Sequence, residues 1–221
     1  MSDVDFIVAI NDELTTAQIA EVKQMHAGIL DLPSRLAKRL EGSYFPKALL
    51  NKTEAVGVKA LWFLNRGTGT MSQALHDNSW MTLWELHNCG IAVVGPDSKS
   101  LFGPVPAATL RHAVLSEMKA WRDTLVSNPS SISCVWNQSF VVLTYCRMLM
   151  TLESGAIYSK PASVRWSKTS LPERWHPLIL RALPGSKDPD GAGQQPAKAS
   201  EVIETLAFTA FAVGRGVNFD A

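Results

Sequence analysis

Alternating apolar and polar positions near the start of the chain predict a β-strand over residues 2–10. Every second residue of this strand belongs to an apolar face, made of Val4, Phe6, Val8 and Ile10. Because side chains alternate along a strand, Asp3 and Asp5 point together from the opposite face. The pattern therefore predicts one apolar face and one face that carries two neighbouring carboxylates.

Helical spacing replaces this alternation after Thr15 or Thr16, either of which can cap the N-terminus of a helix. The apolar positions that recur at this spacing are Ile19, Val22, Met25 and Ile29. The segment at 31–33 ends the helix, and residues 40–46 predict a second strand closed by Pro46. We expect a strand, a helix and a strand, with acidic residues on both strands.

The pattern from residue 51 onwards is less regular. Residues 51–73 are predicted to form loops around one short apolar stretch at 58–64. A helix follows at 79–89, with Gly90 at its end in the left-handed conformation. Residues 91–96 are predicted to form a short buried strand followed by a turn. These elements complete a predicted α/β domain over residues 1–105.

Residues 106–221 are predicted to form a second domain that is entirely helical. The expected helices are 107–126, 135–153, one beginning at Lys160-Pro161, one from Leu171-Pro172 to Leu183, and 201–213 capped by Ser200. Residues 184–199 are almost free of apolar side chains and are expected to form a mobile loop. The predicted fold class is α+β, with a helical bundle following the α/β domain.

Charge and composition narrow the classes of function. The 221 residues contain 21 basic and 20 acidic side chains, so there is no broad basic field to attract nucleic acid. No apolar stretch is long enough to span a bilayer, and the start of the chain is acidic rather than basic, which disfavours a membrane protein or a signal peptide. Three widely separated cysteines indicate neither disulfides nor zinc. We expect a cytoplasmic monomer.

Paired carboxylates on a strand suggest a magnesium site, since like charges repel unless a hard cation lies between them. Glu41 on the second strand would complete a three-carboxylate cluster and could act as the base in a metal-dependent transfer reaction. The alternatives are acidic residues at a frayed chain end and, for Glu41, a solvated side chain at a strand edge.

His76-Asp77-Asn78 and His87 allow two readings. They could form a metal pair or an acid/base element, but we interpret the triplet as a loop before a helix and His87 as a helix-surface residue. Among the seven tryptophans, Trp80, Trp84 and Trp136 could stack on a base or a sugar, although core packing is the expected role of most.

Several segments in order along the chain resemble those of the streptomycin/spectinomycin (aminoglycoside) adenylyltransferases. The Asp-x-Asp strand resembles part of the nucleotidyltransferase signature, and Gly90–Asp97 with Leu101–Pro106 resembles the join between the two domains of that family. The resemblance continues through further matches at Asn137, Val141–Thr144, Arg147, Ser154–Lys160, Trp166 and Leu171–Arg174.

This resemblance implies transfer of AMP from Mg-ATP to a hydroxyl of an aminoglycoside-like small molecule, at a cleft between the two domains. Carried over by position, Asp3 and Asp5 hold Mg²⁺, Glu41 is the catalytic base, and Arg147 and Lys160 contact the ATP phosphates. The alternatives for the last two are a structural ion pair between helices and a solvated lysine.

Two departures from the family pattern affect this expectation. In the family, a Gly-Ser pair that grips the nucleotide phosphates lies about a dozen residues before the paired aspartates, and this sequence begins after that position. Where the family has acidic residues that pair with a cationic drug, this sequence has Ser133, Asn137 and Phe140, which favours a less charged alcohol. The alternative function is an inactive relative that acts as a binding protein.

Overall fold

The two strands predicted from the start of the sequence are both present in the computed structural model, which describes residues 4–66, 68–186 and 191–219. The chain divides into two units, Met1–Val105 and Pro106–Ala221. The described residues of the first unit form β1 (Val4–Ile10), α1 (Thr16–Leu30), β2 (Leu40–Pro46), β3 (Leu61–Leu64), β4 (Met71–Ala74), α2 (Trp80–Cys89) and α3 (Ser98–Leu101).

The sheet of the first unit has the strand order β1-β2-β3-β4 among the described residues. β2 is parallel to β1, and the connection between them contains α1, as a parallel pair requires. β2, β3 and β4 then pair as an antiparallel meander. Thr15 begins α1 through a reciprocal cap with Gln18, which confirms one of the two predicted caps.

Both faces of this sheet carry an apolar cluster. Phe6, Tyr44 and Leu64 pack on one face together with Val22 of α1, and Ile7, Phe45 and Leu61 pack on the other with Leu83 and Leu86 of α2. The sequence pattern predicts a charged face opposite an apolar one, but the face that carries Asp5 is charged only in part. Ile7 lies on that face and is covered by α2, so only the end of the strand near Asp5 is polar.

The second unit is helical, as predicted. Its described helices are α4 (Ala107–Ser127), α5 (Val135–Ser154), α6 (Lys160–Ser170), α7 (His176–Gly185) and α8 (Ala199–Val217). α5 is the central helix, because it packs against all four of the others and has more buried residues than any other described helix. The sequence predicts that this helix stops at Gly155, and Gly155 follows the last residue of α5 in the left-handed conformation (φ 74°). The mixed α+β class is confirmed.

Other predicted details of the first unit are wrong. Residues 91–96 form no strand; Ile91, Val93 and Val94 are 89%, 91% and 93% exposed. Gly90 has φ −63° and is not left-handed; the missing side chain instead leaves room for Ser98, whose hydroxyl donates to the Gly90 carbonyl oxygen at 3.2 Å. The sequence predicts a loop where β4 lies, because four residues with two polar side chains give little periodicity.

Details of the second unit also differ. α8 begins at Ala199 rather than after Ser200, because the Glu201 carboxylate accepts from the Lys198 amide (3.1 Å) and closes the first turn two residues earlier. α7 begins at His176, after a short 3₁₀ turn at Glu173–Trp175. The loop expected at 184–199 is partly ordered by backbone bonds from Val135 to Gln195 (3.0 Å) and from Ala197 to Ser133 (2.7 Å). Residues 187–190 of that loop lie outside the described part of the chain. None of the helices in the described part combines the length and apolar character needed to cross a bilayer.

Candidate active site

The parallel pairing of β1 and β2 brings two of the predicted site residues together. Asp5 is the direct register partner of Glu41, so both side chains project from the same face of the sheet on adjacent strands. Asp5 is exposed and the Glu41 side chain is 22% exposed. Asp3, the other predicted magnesium ligand, lies outside the described residues. The expected carboxylate pair on neighbouring strands is thus present for the two members that the structure describes.

The loop between β4 and α2 adds an imidazole to this pair. His76 Nε2 lies 3.6 Å from Glu41 Oε1, and His76 Nδ1 lies 2.9 Å from Asp77 Oδ1. The ring also stacks on Phe63 of β3, with 4.6 Å between ring centres and 29° between planes. The interpretation of His76-Asp77-Asn78 as only a loop before a helix therefore misses its contact with the acidic pair.

Asp77 and Asn78 fix the position of this loop. Asp77 accepts a hydrogen bond from the fully buried Ser43 hydroxyl at 2.6 Å, and Ser43 follows Glu41 by two positions on β2. Asn78 is 1% exposed and donates to the carbonyl oxygens of Ala55 and Lys59, both at 2.8 Å. The loop is thus anchored to β2 through Asp77 and to the connection between β2 and β3 through Asn78.

The electrostatics of the cluster follow from these contacts. The hydrogen bond to Asp77 raises the pKa of His76 above its ordinary value of 6.5. Burial opposes this effect, while the negative charges of Asp77, Glu41 and Asp5 reinforce it. An imidazolium beside Glu41 would balance part of the negative charge that the two strands bring together.

The donor chemistry here suits a hard divalent cation only in part. Asp5 offers carboxylate oxygens of the type that Mg²⁺ prefers. Among the residues that the structure describes, however, no group of three or more His, Cys, Asp or Glu side chains is arranged to hold a metal. An open hollow of about 430 Å³ lies at the opposite end of β1, lined by residues 9–14 and Gln18, and contains neither Asp5 nor Glu41. The site is therefore defined by its side chains rather than by that hollow.

The two predicted phosphate ligands lie in the helical unit. Arg147 on α5 donates through Nε to the carbonyl oxygen of Tyr158 at 2.7 Å, so part of its guanidinium holds the connection between α5 and α6. Lys160 is the first residue of α6, two positions beyond Tyr158, and its Nζ lies 5.1 Å from the ring centre of Phe140. Both cations thus belong to the same corner of this unit.

The ring next to Lys160 belongs to a pair of aromatic side chains on α5. Phe140 stacks on Trp136, with 5.4 Å between ring centres, and it is 37% exposed. Asn137 donates to the Ser131 carbonyl oxygen at 2.8 Å, and the Ser133 carbonyl oxygen accepts from Ala197. This stretch of α5 therefore presents aromatic and neutral polar groups, as expected from the sequence.

Known proteins match this chain in sequence and in fold. A family model described as the C-terminal domain of aminoglycoside adenylyltransferase matches residues 100–210, about half of the chain. The aminoglycoside (3'') (9) adenylyltransferase of Klebsiella pneumoniae is 30% identical over 92 residues, which cover 42% of this chain and 32% of that protein. The match therefore spans about a third of the length of that relative.

Two further relatives match over more of the chain. The spectinomycin 9-adenylyltransferase of Campylobacter jejuni is 26% identical over 195 residues, covering 82% of this chain and 69% of that protein. The crystal structure of a spectinomycin adenyltransferase from Enterococcus faecialis, with ATP and spectinomycin, covers 96% of this chain and 85% of its own, with a TM-score of 0.67 and 17% identity. At that identity, the structural likeness is one of fold.

Proposed function

We propose, from the premise that the chain belongs to the aminoglycoside adenylyltransferase family, that it transfers AMP from Mg-ATP to a hydroxyl group of a small molecule. The observation that carries this proposal is the register of β1 and β2, which places Asp5 beside Glu41. Nucleotidyl transfer requires a carboxylate that binds metal and a second carboxylate that accepts a proton, close together on a rigid element. Adjacent strands of one sheet satisfy that requirement.

The carboxylates of β1 and the carboxylate of β2 have separate roles in this proposal. Asp5, together with Asp3, would hold Mg²⁺, which when bound neutralises charge on the phosphates. Glu41 would accept the proton of the attacking hydroxyl. The hydroxyl oxygen forms a bond to the α-phosphorus of ATP, the bond from that phosphorus to pyrophosphate breaks, and the products are the adenylylated alcohol and pyrophosphate. The partly buried position of Glu41 favours this role, because a base shielded from water is less strongly hydrated.

Arg147 and Lys160 would supply positive charge to the triphosphate. The Nε–Tyr158 bond orients the Arg147 guanidinium, a group whose forked donors match phosphate oxygens. Lys160 is at the N-terminus of α6, where the helix dipole also favours a bound anion. Because both residues lie at one corner of the helical unit, we expect them to act on the same nucleotide.

The acceptor is proposed to be an alcohol with less positive charge than streptomycin-like drugs. Ser133, Asn137 and Phe140 offer no carboxylate to a cationic ligand, and the backbone of Ser133 and the side chain of Asn137 already hold the local fold. The Campylobacter jejuni and Enterococcus faecialis relatives are described by their action on spectinomycin. Spectinomycin and neutral analogues are therefore the first acceptors to test.

The test is incubation of the chain with ATP, Mg²⁺ and a panel of aminoglycosides, aminocyclitols and neutral sugar alcohols, with mass spectrometry to detect an added AMP group. Asp5→Asn and Glu41→Gln should each lower turnover by about 10²-fold or more, in the range found for general bases and metal ligands. Asp12→Asn is the matched control, since Asp12 is an exposed carboxylate beyond the other end of β1.

Nucleotide binding is measured separately by calorimetry with Mg-ATP. Arg147→Gln and Lys160→Gln should weaken binding, whereas Lys168→Gln, an exposed lysine at the other end of α6, should not. Absence of both Mg-ATP binding and modification of any acceptor would overturn the proposed function.

A further inference from the structure

We infer that His76, oriented by Asp77, is the positioning residue for Glu41 and holds its carboxylate in the direction from which it takes the acceptor's proton. This inference rests on the proposed function. It concerns a residue whose contact with the proposed reacting groups is made at Glu41. The contacts that carry it are the 3.6 Å approach of His76 Nε2 to Glu41 and the 2.9 Å bond of His76 Nδ1 to Asp77.

The imidazole has one defined orientation. Phe63 supports the face of the ring, and Asp77 fixes its rotation by accepting the Nδ1 hydrogen. The Asp77 carboxylate is itself held through its second oxygen by the buried hydroxyl of Ser43. Ring rotation would break the bond to Asp77, so Nε2 is directed at Glu41 rather than at solvent, even though the side chain is 56% exposed.

This orientation determines how the two groups interact. Because Nδ1 donates its hydrogen to Asp77, Nε2 of a neutral His76 is a hydrogen-bond acceptor. Two acceptors facing each other would repel, so the His76–Glu41 contact is attractive when one proton lies between them. The distance of 3.6 Å exceeds a formed hydrogen bond, and the inference requires that the two atoms come closer when ligands bind.

The backbone around His76 is built to keep this contact. The same β2 strand supplies both Glu41 and Ser43, and Ser43 is the register partner of Phe63 on β3. Glu41, the Asp77 anchor and the support for the imidazole therefore share one rigid sheet. Asn78, two residues after His76, is fixed by two hydrogen bonds from its side chain to the backbone of the β2–β3 connection.

The first test separates kcat from KM for the acceptor identified above. His76→Ala should lower kcat about 10- to 100-fold, because a displacement of the Glu41 carboxylate by up to about 1 Å has effects of this size. It should leave KM for ATP unchanged. In the Glu41→Gln background the same substitution should have no further effect, because His76 acts only through Glu41. His112→Ala, at an exposed histidine of α4, is the control for removal of an imidazole.

Additive losses in the double variant, or an unchanged kcat for His76→Ala, would overturn the inference. The second test does not depend on turnover. The ring resonances of His76 in a ¹⁵N-histidine NMR spectrum should shift in Glu41→Gln and not in Asp12→Asn. An unshifted resonance contradicts the inference even if the enzyme is active. A shifted resonance in a chain that modifies no acceptor supports the His76–Glu41 contact while the proposed function fails.

Discussion

Gly42 is the point at which the candidate site is most sensitive to a single methyl group. It lies between Glu41 and Ser43 on β2 and is the register partner of Phe6 on β1. A Cβ at this position would overlap the backbone carbonyl oxygen of Phe6 and come within 2.8 Å of its side-chain Cγ. Since the obstructing atoms belong to the backbone of a paired strand, no side-chain rotation can relieve the overlap, and the two strands must separate.

Gly42→Ala is therefore expected to destabilise the first unit by about 3 kcal/mol, the upper part of the range for overpacked sites. For a chain of this size that corresponds to a decrease of roughly 6–12 °C in melting temperature. Gly28→Ala is the matched control, because Gly28 lies in α1 and an added Cβ has no atom within 4 Å. That control should instead stabilise by about 0.5–1 kcal/mol through its higher helix propensity.

The assay combines urea unfolding, followed by circular dichroism, with hydrogen exchange of peptides from residues 4–46. Exchange is needed because a chain with two units does not have to unfold in a single step. Gly42→Ala should accelerate exchange in β1 and β2 and leave exchange in α5 unchanged. Equal stabilities for the Gly42→Ala and Gly28→Ala variants would refute the close approach of the two strands.

Other positions give independent tests by urea unfolding. Tyr145→Phe should cost about 1 kcal/mol, because the buried hydroxyl donates to the Met118 carbonyl oxygen at 2.8 Å; an unchanged midpoint would contradict that bond. Gly155→Ala should cost about 1–2 kcal/mol at φ 74°, and a stabilised variant would refute the left-handed end of α5. Burial lowers the pKa of His26 below 6.5, so as the pH falls the unfolded chain takes up a proton on this residue before the folded chain does. The free energy of unfolding should therefore decrease as the pH drops below 6.5, and it should decrease less in His26→Gln. The same pH dependence of stability in both proteins would contradict the burial of His26.

The parts of the fold that follow from local patterns could be predicted from the sequence. β1 and β2 are long enough to show a strand pattern, and α1 begins at a threonine that forms a complete capping box with Gln18. Gly155 was predictable because a glycine directly after an apolar helical repeat commonly ends a helix. In each case the signal lies within a few residues of the element it defines.

The errors occur where the outcome depends on distant partners. The apolar run at 91–94 has the composition of a buried strand, but a strand also needs a neighbour to pair with, and in the described part of the chain this run has none. β4 has little pattern of its own and exists because β3 offers it a pairing edge. Periodicity measures the side chains of one segment and contains no information about such a partner.

The candidate site shows the same division. The carboxylates on β1 and β2 could be proposed from the sequence because both lie on recognisable strands, and the parallel register makes them neighbours. The part played by His76 could not, because it arises from contacts with Glu41, Phe63 and Asp77 that the meander and the start of α2 bring together. The available signal was the polar triplet immediately before the helix cap at Ser79.

Sheet packing and site chemistry are therefore coupled through β2. The strand carries Glu41, the Ser43 hydroxyl that anchors Asp77, and the glycine that permits close pairing with β1. A substitution that moves β2 would displace Glu41 from Asp5 and would also release the support of His76. Loss of activity in such a variant would consequently exceed the effect of His76→Ala, since it removes the alignment of both strands, whereas His76→Ala leaves the register of Asp5 and Glu41 intact.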